Sequence, residues 1–358
     1  MKYIYNISTL KNHNDNNVLE EKIGKKAQNL FELAIQGFNV PNFSVITNKY
    51  FKEVILNEIK ENGRNTENYY ETNDWNSIFN ENTEQKIENI IKVITDHKIS
   101  KDFQEEIEST VKDGKYYAVR SSSVEEDSSS FSFAGQFETF LYIKKENMIE
   151  KIKEVWISSF SSHVMKYRKE GSINNEINVP AVIIQEMINS DKSGVGFSVN
   201  PVNGNYDEAV ISGTYGLGTS IVDGDENGDL FIYDKKTKKI KKEIRTKKIR
   251  QVLDFENQKI KTEEINIEEE VLTNDEIHEL GENIINIEKY YGNPQDMEWA
   301  FEKGKLYILQ ARPITTLEKT NEKTSNTIIW DNSNIVESYP EITLPLTFSF
   351  IRKAYSDV

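Results

Sequence analysis

The run "DMEWAFEKGKLYILQARPI", residues 296–314, decides the architecture, because its alternation reads as a β-hairpin. Met297, Trp299 and Phe301 alternate with Glu298 and Ala300, and beyond Lys303-Gly304 the residues Leu306, Ile308, Gln310 and Arg312 share a face. Period-two alternation about a glycine-containing turn marks two antiparallel strands. The turn then decides which polar groups meet. A three-residue Glu302-Lys303-Gly304 loop, with Gly304 left-handed, pairs Phe301 with Lys305 and puts Glu298 on the face of Gln310 and Arg312. A two-residue loop puts them on opposite faces. Gathered on one face, a carboxylate, an amide oxygen and a guanidinium suit Mg²⁺ plus phosphate, since Mg²⁺ takes hard oxygens from few protein ligands. A structural Glu/Arg pair is the plainer alternative.

Upstream of the hairpin, Thr273-Asn274-Asp275-Glu276 is a capping box for a helix burying Leu280, Ile284, Ile287 and Tyr291 and stopping at Gly292. Strand-like runs precede it at "AVIIQEMI", "GVGFSVNP", "EAVISG" and "LFIYD", each bounded by turn residues. Helical spacing appears at Ala27, Leu30, Phe31 and Ala34, at Ile87, Ile90, Ile91 and Ile94, and at Ile149, Ile152, Val155 and Trp156. Thr47 or Asn48 caps another helix, and Asn62–Asn82 reads as a polar loop. Strands and helices therefore come in clusters, without regular βαβ alternation. The fold class is α+β.

Composition narrows the chemistry. The 358 residues include no cysteine, which removes disulfides, thiolate metal sites and cysteine nucleophiles together. A net charge of -15 argues against nucleic-acid binding, which needs clustered cations. The exception, "KKTKKIKKEIRTKKIR" at Lys235–Arg250, alternates basic residues with Thr and Ile and reads as a solvated edge hairpin. No apolar run reaches the roughly 18 residues of a membrane span and no signal core opens the chain, so a cytoplasmic location is expected. His13, His97, His163 and His278 stand apart, without metal-ligand spacing.

Anion chemistry concentrates in "YYAVRSSSVEEDSSSFSFAGQFET", Tyr116–Thr139. Arg120 ends an apolar strand and is followed by serines, by Gly135 and by Thr139, which together offer a guanidinium, hydroxyls and open backbone N–H groups to phosphate. A serine-rich surface loop is the alternative. Lys26 near a helix start could reach an anion held there. Gln185 and Glu186 interrupt the apolar run "VIIQEMI", as an edge passing a nucleobase slot would, or simply an exposed edge. The glycine cluster "ISGTYGLGTSIVDGD" fits neither a dinucleotide fingerprint nor a Walker A loop.

Taken in order, "IGKKAQNLFELAIQGFNVPNFSVIT", "AVRSSSVEEDSSSFSFAGQFETFL", "VIIQEMINSDKSGVGFSVNPVNG", "GTYGLGTSIVDGD" and "GNPQDMEWAFEKGKLYILQARPITTL" resemble the ATP-binding domain of the phosphoenolpyruvate synthase and pyruvate, phosphate dikinase family, which includes rifampicin phosphotransferases. The resemblance implies an ATP-grasp fold over residues 1–316, with lobes of roughly 1–180 and 181–316, and ATP with Mg²⁺ between them. It makes Lys26, Arg120 and Arg312 catalytic phosphate ligands and lines the phosphate loop with Gly135 and Thr139. Gln185 falls at the nucleotide hinge, Glu186 to Ile188 supply backbone contacts to adenine, and Glu298 and Gln310 are metal ligands. One departure is Gly24-Lys25-Lys26-Ala27, where the family has G-G-K-G, so Lys25 is a possible substitute for Lys26. A second is the missing glycine-rich histidine motif. The implied partner is a phosphohistidine swivelling domain, in cis or in trans, with a small-molecule acceptor on another domain. Residues 317–327 then read as a linker and 328–358 as the start of the acceptor-side domain. The rivals are an ATP sensor without turnover and an ATP-grasp ligase forming an acyl phosphate.

Overall fold

The computed structural model describes residues 3–10, 21–64, 83–123, 138–162, 164–165, 179–218, 228–254 and 259–314. Gly135, the expected linker and the expected acceptor-side segment lie outside them. Met1–Leu317 forms one compact unit and Glu318–Val358 another.

The first unit is a mixture of helix and sheet, in agreement with the α+β expectation. Its N-terminal sheet runs β1-β2-β5-β3-β4, with β1 Ile4–Asn6, β2 Phe43–Ile46, β3 Tyr117–Ser122, β4 Thr139–Ile143 and β5 Ala181–Glu186. Both faces of this sheet are covered. Val119, Val182 and Ile184 pack under Tyr50, Phe51, Ile94, Phe103, Ile152 and Trp156, which come from the surrounding helices. On the other face, Ala181 and Ile183 meet Ala27, Leu30 and Phe31 of helix Lys25–Ile35. An inner strand buried on both sides needs apolar residues at every position, which explains why β5 reads Ala-Val-Ile-Ile without alternation. Because β5 is hydrogen-bonded between β2 and β3, the first sheet extends past the lobe boundary expected at 180.

The second sheet runs β13-β12-β6-β7-β8-β9, with β6 Lys192–Phe197, β7 Glu208–Tyr215, β8 Asp229–Asp234, β9 Ile240–Glu243, β12 Gln295–Glu302 and β13 Lys305–Pro313. Every ladder in both sheets is antiparallel. Helix Asn274–Tyr291 lays Ile277, Leu280, Ile284 and Ile287 on one face of it, against Phe231, Tyr233, Met297, Trp299 and Phe301. Each such large side chain contributes about 1.5–3 kcal/mol by leaving water. The capping box forms as expected: Thr273 accepts from the Glu276 N–H and the Glu276 carboxylate accepts from the Thr273 N–H. Glu276 also receives Lys192 Nζ at 2.8 Å, which ties the helix start to β6. Gly213 lies inside β7, where an added Cβ would come within 3.0 Å of the Trp299 ring. The other face of β12 and β13 is left for polar residues.

The basic stretch departs from the solvated-hairpin reading. Ile240–Glu243 is indeed the edge strand β9, but Lys247 begins β10 (Lys247–Asp254), which pairs with β11 (Lys259–Ile267) in a separate two-stranded sheet. Lys247 is 0% exposed, with Nζ 2.8 Å from Asp229 Oδ1 and donating to the Glu269 carbonyl at 2.7 Å. Asp229 accepts two backbone N–H groups as well, from Arg245 and Val271. A buried charge persists only when its partner and hydrogen bonds are all present, and here they are. Among the described residues, no helix is long and apolar enough to cross a membrane.

Candidate functional site

Helix Lys25–Ile35 sits where the two sheets approach each other. Its Ala27, Leu30 and Phe31 belong to the first core, its Leu33 to the second, and Asn29 Nδ2 donates to the Ala311 carbonyl of β13 at 3.0 Å. Asn39, beyond the helix, accepts the Ile308 N–H through its carbonyl at 2.9 Å. These contacts fasten the helix and the residues after it to β13 of the terminal hairpin.

Arg120 projects into that junction from β3, on the face it shares with its register partner Ile183. Its Nη1 donates to Gln185 Oε1 at 3.2 Å, its Nη2 donates to Gln310 Oε1, and Nη2 lies 3.7 Å from Glu298 Oε2. Gln185 in turn donates through Nε2 to the Leu309 carbonyl at 3.2 Å. Four expected site residues from four strands, β3, β5, β12 and β13, thus form one cluster bridging the sheets. The guanidinium is largely buried and, among the described residues, its Nε has no hydrogen-bond partner, a costly state for a charged donor.

The hairpin reaches this geometry by a route the sequence reading did not anticipate. The turn is the two-residue Lys303-Gly304, closing Glu302 against Lys305, and both central residues have positive φ, 51° and 75°, as a type I′ turn requires. Continued unbroken, that register would oppose Glu298 with Leu309 and turn Gln310 to the far face. Instead the ladder shifts between Glu298 and Trp299, leaving Leu309 out of register and restoring the pairs Glu298–Gln310 and Asp296–Arg312. A bulge therefore corrects what the loop alone would misdirect. The three-residue loop is wrong, and the shared face of Glu298, Gln310 and Arg312 is right.

Arg312 is anchored by Asp296, its register partner on β12. Its Nε donates to Asp296 Oδ2 at 2.8 Å, and its side chain is 47% exposed. Burial pushes the Asp296 carboxyl above its usual range; the Arg312 guanidinium pulls the other way, and the charge of Glu298 adds to the rise. Asp296 was missed by sequence reasoning, yet it was findable: any register that opposes Glu298 to Gln310 also opposes Asp296 to Arg312.

The remaining expected residues spread around this centre. Thr139 is the register partner of Arg120 and is exposed. Lys25 and Lys26 are half-buried at the start of helix Lys25–Ile35, whose first turn is fastened to the end of the Arg120 strand: the Lys25 N–H donates to the Ser123 carbonyl at 3.1 Å and the Ala27 N–H to Ser122 Oγ at 3.0 Å. Gly24 precedes them at φ 75°, so close to β3 that a Cβ would lie 2.2 Å from the Ser122 carbonyl oxygen. Glu186 pairs with Lys115 at 2.7 Å, and although burial works the other way, that ammonium and the Asn42 amide hold its carboxyl below the usual range. The N–H groups of Glu186 and Met187 donate to the Asn42 and Tyr116 carbonyls, both at 2.8 Å. Ile188 follows the end of β5. A separate open groove of about 480 Å³, lined by Phe38, Asn39, Asn286 and Tyr290 among others, includes none of these residues.

The oxygens of Glu298, Gln310 and Gln185 are hard donors of the kind Mg²⁺ prefers, and the orphaned Arg120 Nε matches a phosphoryl oxygen. Residues 20–332 match the family described as "Pyruvate phosphate dikinase, AMP/ATP-binding domain", and the chain belongs to that family. It is 43% identical over 206 residues to the "Probable phosphoenolpyruvate synthase" of Methanocaldococcus jannaschii, covering 56% of this chain and 17% of that protein. Over 309 residues it is 35% identical to "Uncharacterized phosphotransferase YvkC" of Bacillus subtilis, covering 83% of this chain and 34% of the relative. The "Rifampicin phosphotransferase" of Bacillus cereus is 33% identical over 315 residues, 82% of this chain and 34% of that one. The chain thus matches about a sixth of the M. jannaschii relative and about a third of the other two.

Proposed function

We propose that this chain is the nucleotide-binding portion of a dikinase-type phosphotransferase with an ATP-grasp fold, working in the cytoplasm. It binds Mg-ATP between the two sheets and presents the β-phosphoryl group to a histidine on a swivelling domain outside residues 1–316; the histidine displaces AMP, and water takes the terminal phosphoryl group as phosphate. One observation carries this reading: Arg120 of the first sheet meets Glu298 and Gln310 of the second in a single, partly buried cluster. In the same proposal, residues 317–327 are a linker and 328–358 open an acceptor-side domain.

Phosphoryl transfer asks for positioning and charge neutralisation more than for a side-chain base. Arg120 offers a rigid fork of donors to phosphate oxygens, and Gln185 keeps that fork oriented from the neighbouring strand. Arg312, held by Asp296, supplies a second guanidinium on the same face, and Lys26, or Lys25 in its place, brings an ammonium from the helix N-terminus. Thr139, opposite Arg120, and Gly135 border the phosphates. Glu298 and Gln310 would hold Mg²⁺, which when bound screens the charge of the phosphate tail. The nucleobase would lie along Gln185 to Ile188; with the Glu186 and Met187 N–H groups already committed, its contacts there fall to carbonyl groups and to Ile188.

The test is transfer from ATP labelled at the β or the γ position to a phosphohistidine domain of a relative, added in trans. Label from the β position on the histidine domain, with AMP formed and γ label released as phosphate, is the expected result. Formation of ADP, or no labelling by β-labelled ATP, would refute the assignment.

A further inference from the structure

The oxygens that would hold the divalent ion are already in the grip of a cation belonging to the protein. Arg120 Nη2 donates to Gln310 Oε1 and stands 3.7 Å from Glu298 Oε2, while Nη1 is anchored on Gln185 Oε1 at 3.2 Å. Only 12% of the arginine side chain is exposed, so solvent does little to screen its charge. A divalent ion seated on both oxygens would lie within a few ångströms of that guanidinium, and at such range two cations in a poorly solvated site repel strongly. One pair of oxygens cannot serve both well.

The guanidinium is also incompletely satisfied where it is. Nη1 and Nη2 bond to neutral amide oxygens, the carboxylate is at ion-pair distance, and Nε is buried with no partner among the described residues. Phosphate oxygens are stronger partners for this group than amides, because they carry charge and match its fork two bonds at a time. An incoming polyphosphate therefore competes with Gln310 for Arg120 on favourable terms.

We propose that Arg120 is an internal competitor for the metal-ligand pair, so that divalent-ion binding at Glu298 and Gln310 is coupled to transfer of the guanidinium onto the phosphates of the nucleotide. The inference rests on the reading of Glu298 and Gln310 as metal ligands and adds an order to it: the metal is refused alone and accepted with its polyphosphate. By linkage, each ligand raises the affinity for the other.

Free Mn²⁺, followed by its electron paramagnetic resonance signal, tests this on the full chain without any turnover. Arg120→Met is expected to bind Mn²⁺ alone about tenfold or more tightly than the wild type, because the repelling charge is gone. Arg120→Lys, which keeps the charge, should stay near the wild type, and adding Glu298→Gln to Arg120→Met should abolish the gain. Should Arg120→Met prove unfolded by circular dichroism, Arg120→Gln carries the same expectation with an amide still able to donate to Gln310. If the neutral variant binds Mn²⁺ no better while Glu298→Gln still weakens binding of Mn²⁺ with ATP, the competition is refuted and the metal assignment survives. If Glu298→Gln leaves Mn²⁺ with ATP unaffected, the metal assignment itself falls and takes this inference with it.

Discussion

Glu298 and Gln310 face each other across the β12–β13 ladder because Leu309 stands out of register beside them, and the Leu309 carbonyl accepts the Gln185 amide. The same irregularity that aligns two proposed metal ligands also fixes the residue that orients Arg120. Bulges next to functional sites commonly re-aim side chains in this way.

Loss of either side of the cluster should separate activity from folding. Arg120→Ala or Glu298→Ala is expected to reduce phosphoryl transfer to a partner histidine domain by about 10²–10³-fold or more, with circular dichroism and the cooperative thermal transition retained. Full histidine phosphorylation by either variant would contradict the assigned roles.

Asp296 should trade stability for position. A carboxyl whose folded-state value lies above the unfolded value of 3.8 opposes folding when ionised. The penalty is complete above the raised folded-state value, shrinks as pH falls, and vanishes below 3.8, where both states are protonated. Asp296→Asn should therefore melt higher than the wild type at neutral pH, with the difference closing as pH is lowered through the carboxylate range. Its phosphoryl transfer should fall, because Arg312 loses its anchor. A lower melting temperature at neutral pH would disprove the argument.

The ion pair behind the second sheet should be intolerant of half-removal. Lys247→Met leaves Asp229 charged, buried and without its cation, and is expected to cost about 3–5 kcal/mol in denaturant unfolding. An exposed lysine of β9 such as Lys241, changed to Met, should stay within about 0.5 kcal/mol of the wild type. Equal effects at the two positions would show that the burial of Lys247 is not what matters.

Gly24→Ala combines a left-handed backbone with a carbonyl that a Cβ would overlap. A destabilisation of about 2 kcal/mol or more is expected, together with faster amide exchange at Lys25 and Ala27, whose N–H groups are held by Ser123 and Ser122. Unchanged exchange there would mean that the approach of helix to strand does not depend on this glycine.

Much of this was legible in the sequence, and the misses have physical causes. The apolar spacing of helix Asn274–Tyr291 and the Thr273 cap were unambiguous because both are local signals. Arg120 and the hairpin residues were recognisable through motifs, yet their meeting depends on how two sheets approach, which no local pattern contains. The loop length was misjudged because Lys303 at φ 51° occupies a conformation its side chain gives no hint of, and a bulge has no residue signature of its own. Lys247 was misread for a related reason: among neighbouring lysines on an alternating stretch, nothing in composition tells which one will meet Asp229 across the fold. Helix Lys101–Glu108, capped by Ser100, was overlooked because its apolar positions Phe103 and Ile107 are few.

The partners Arg120 and Gln310 are separated by 190 positions along the chain. At roughly 5–20 residues per second, a ribosome needs about 10–40 seconds to deliver the second after the first. Throughout that interval the arginine has no hairpin to receive it, and a message cut short before the last strand yields a protein with half a clasp.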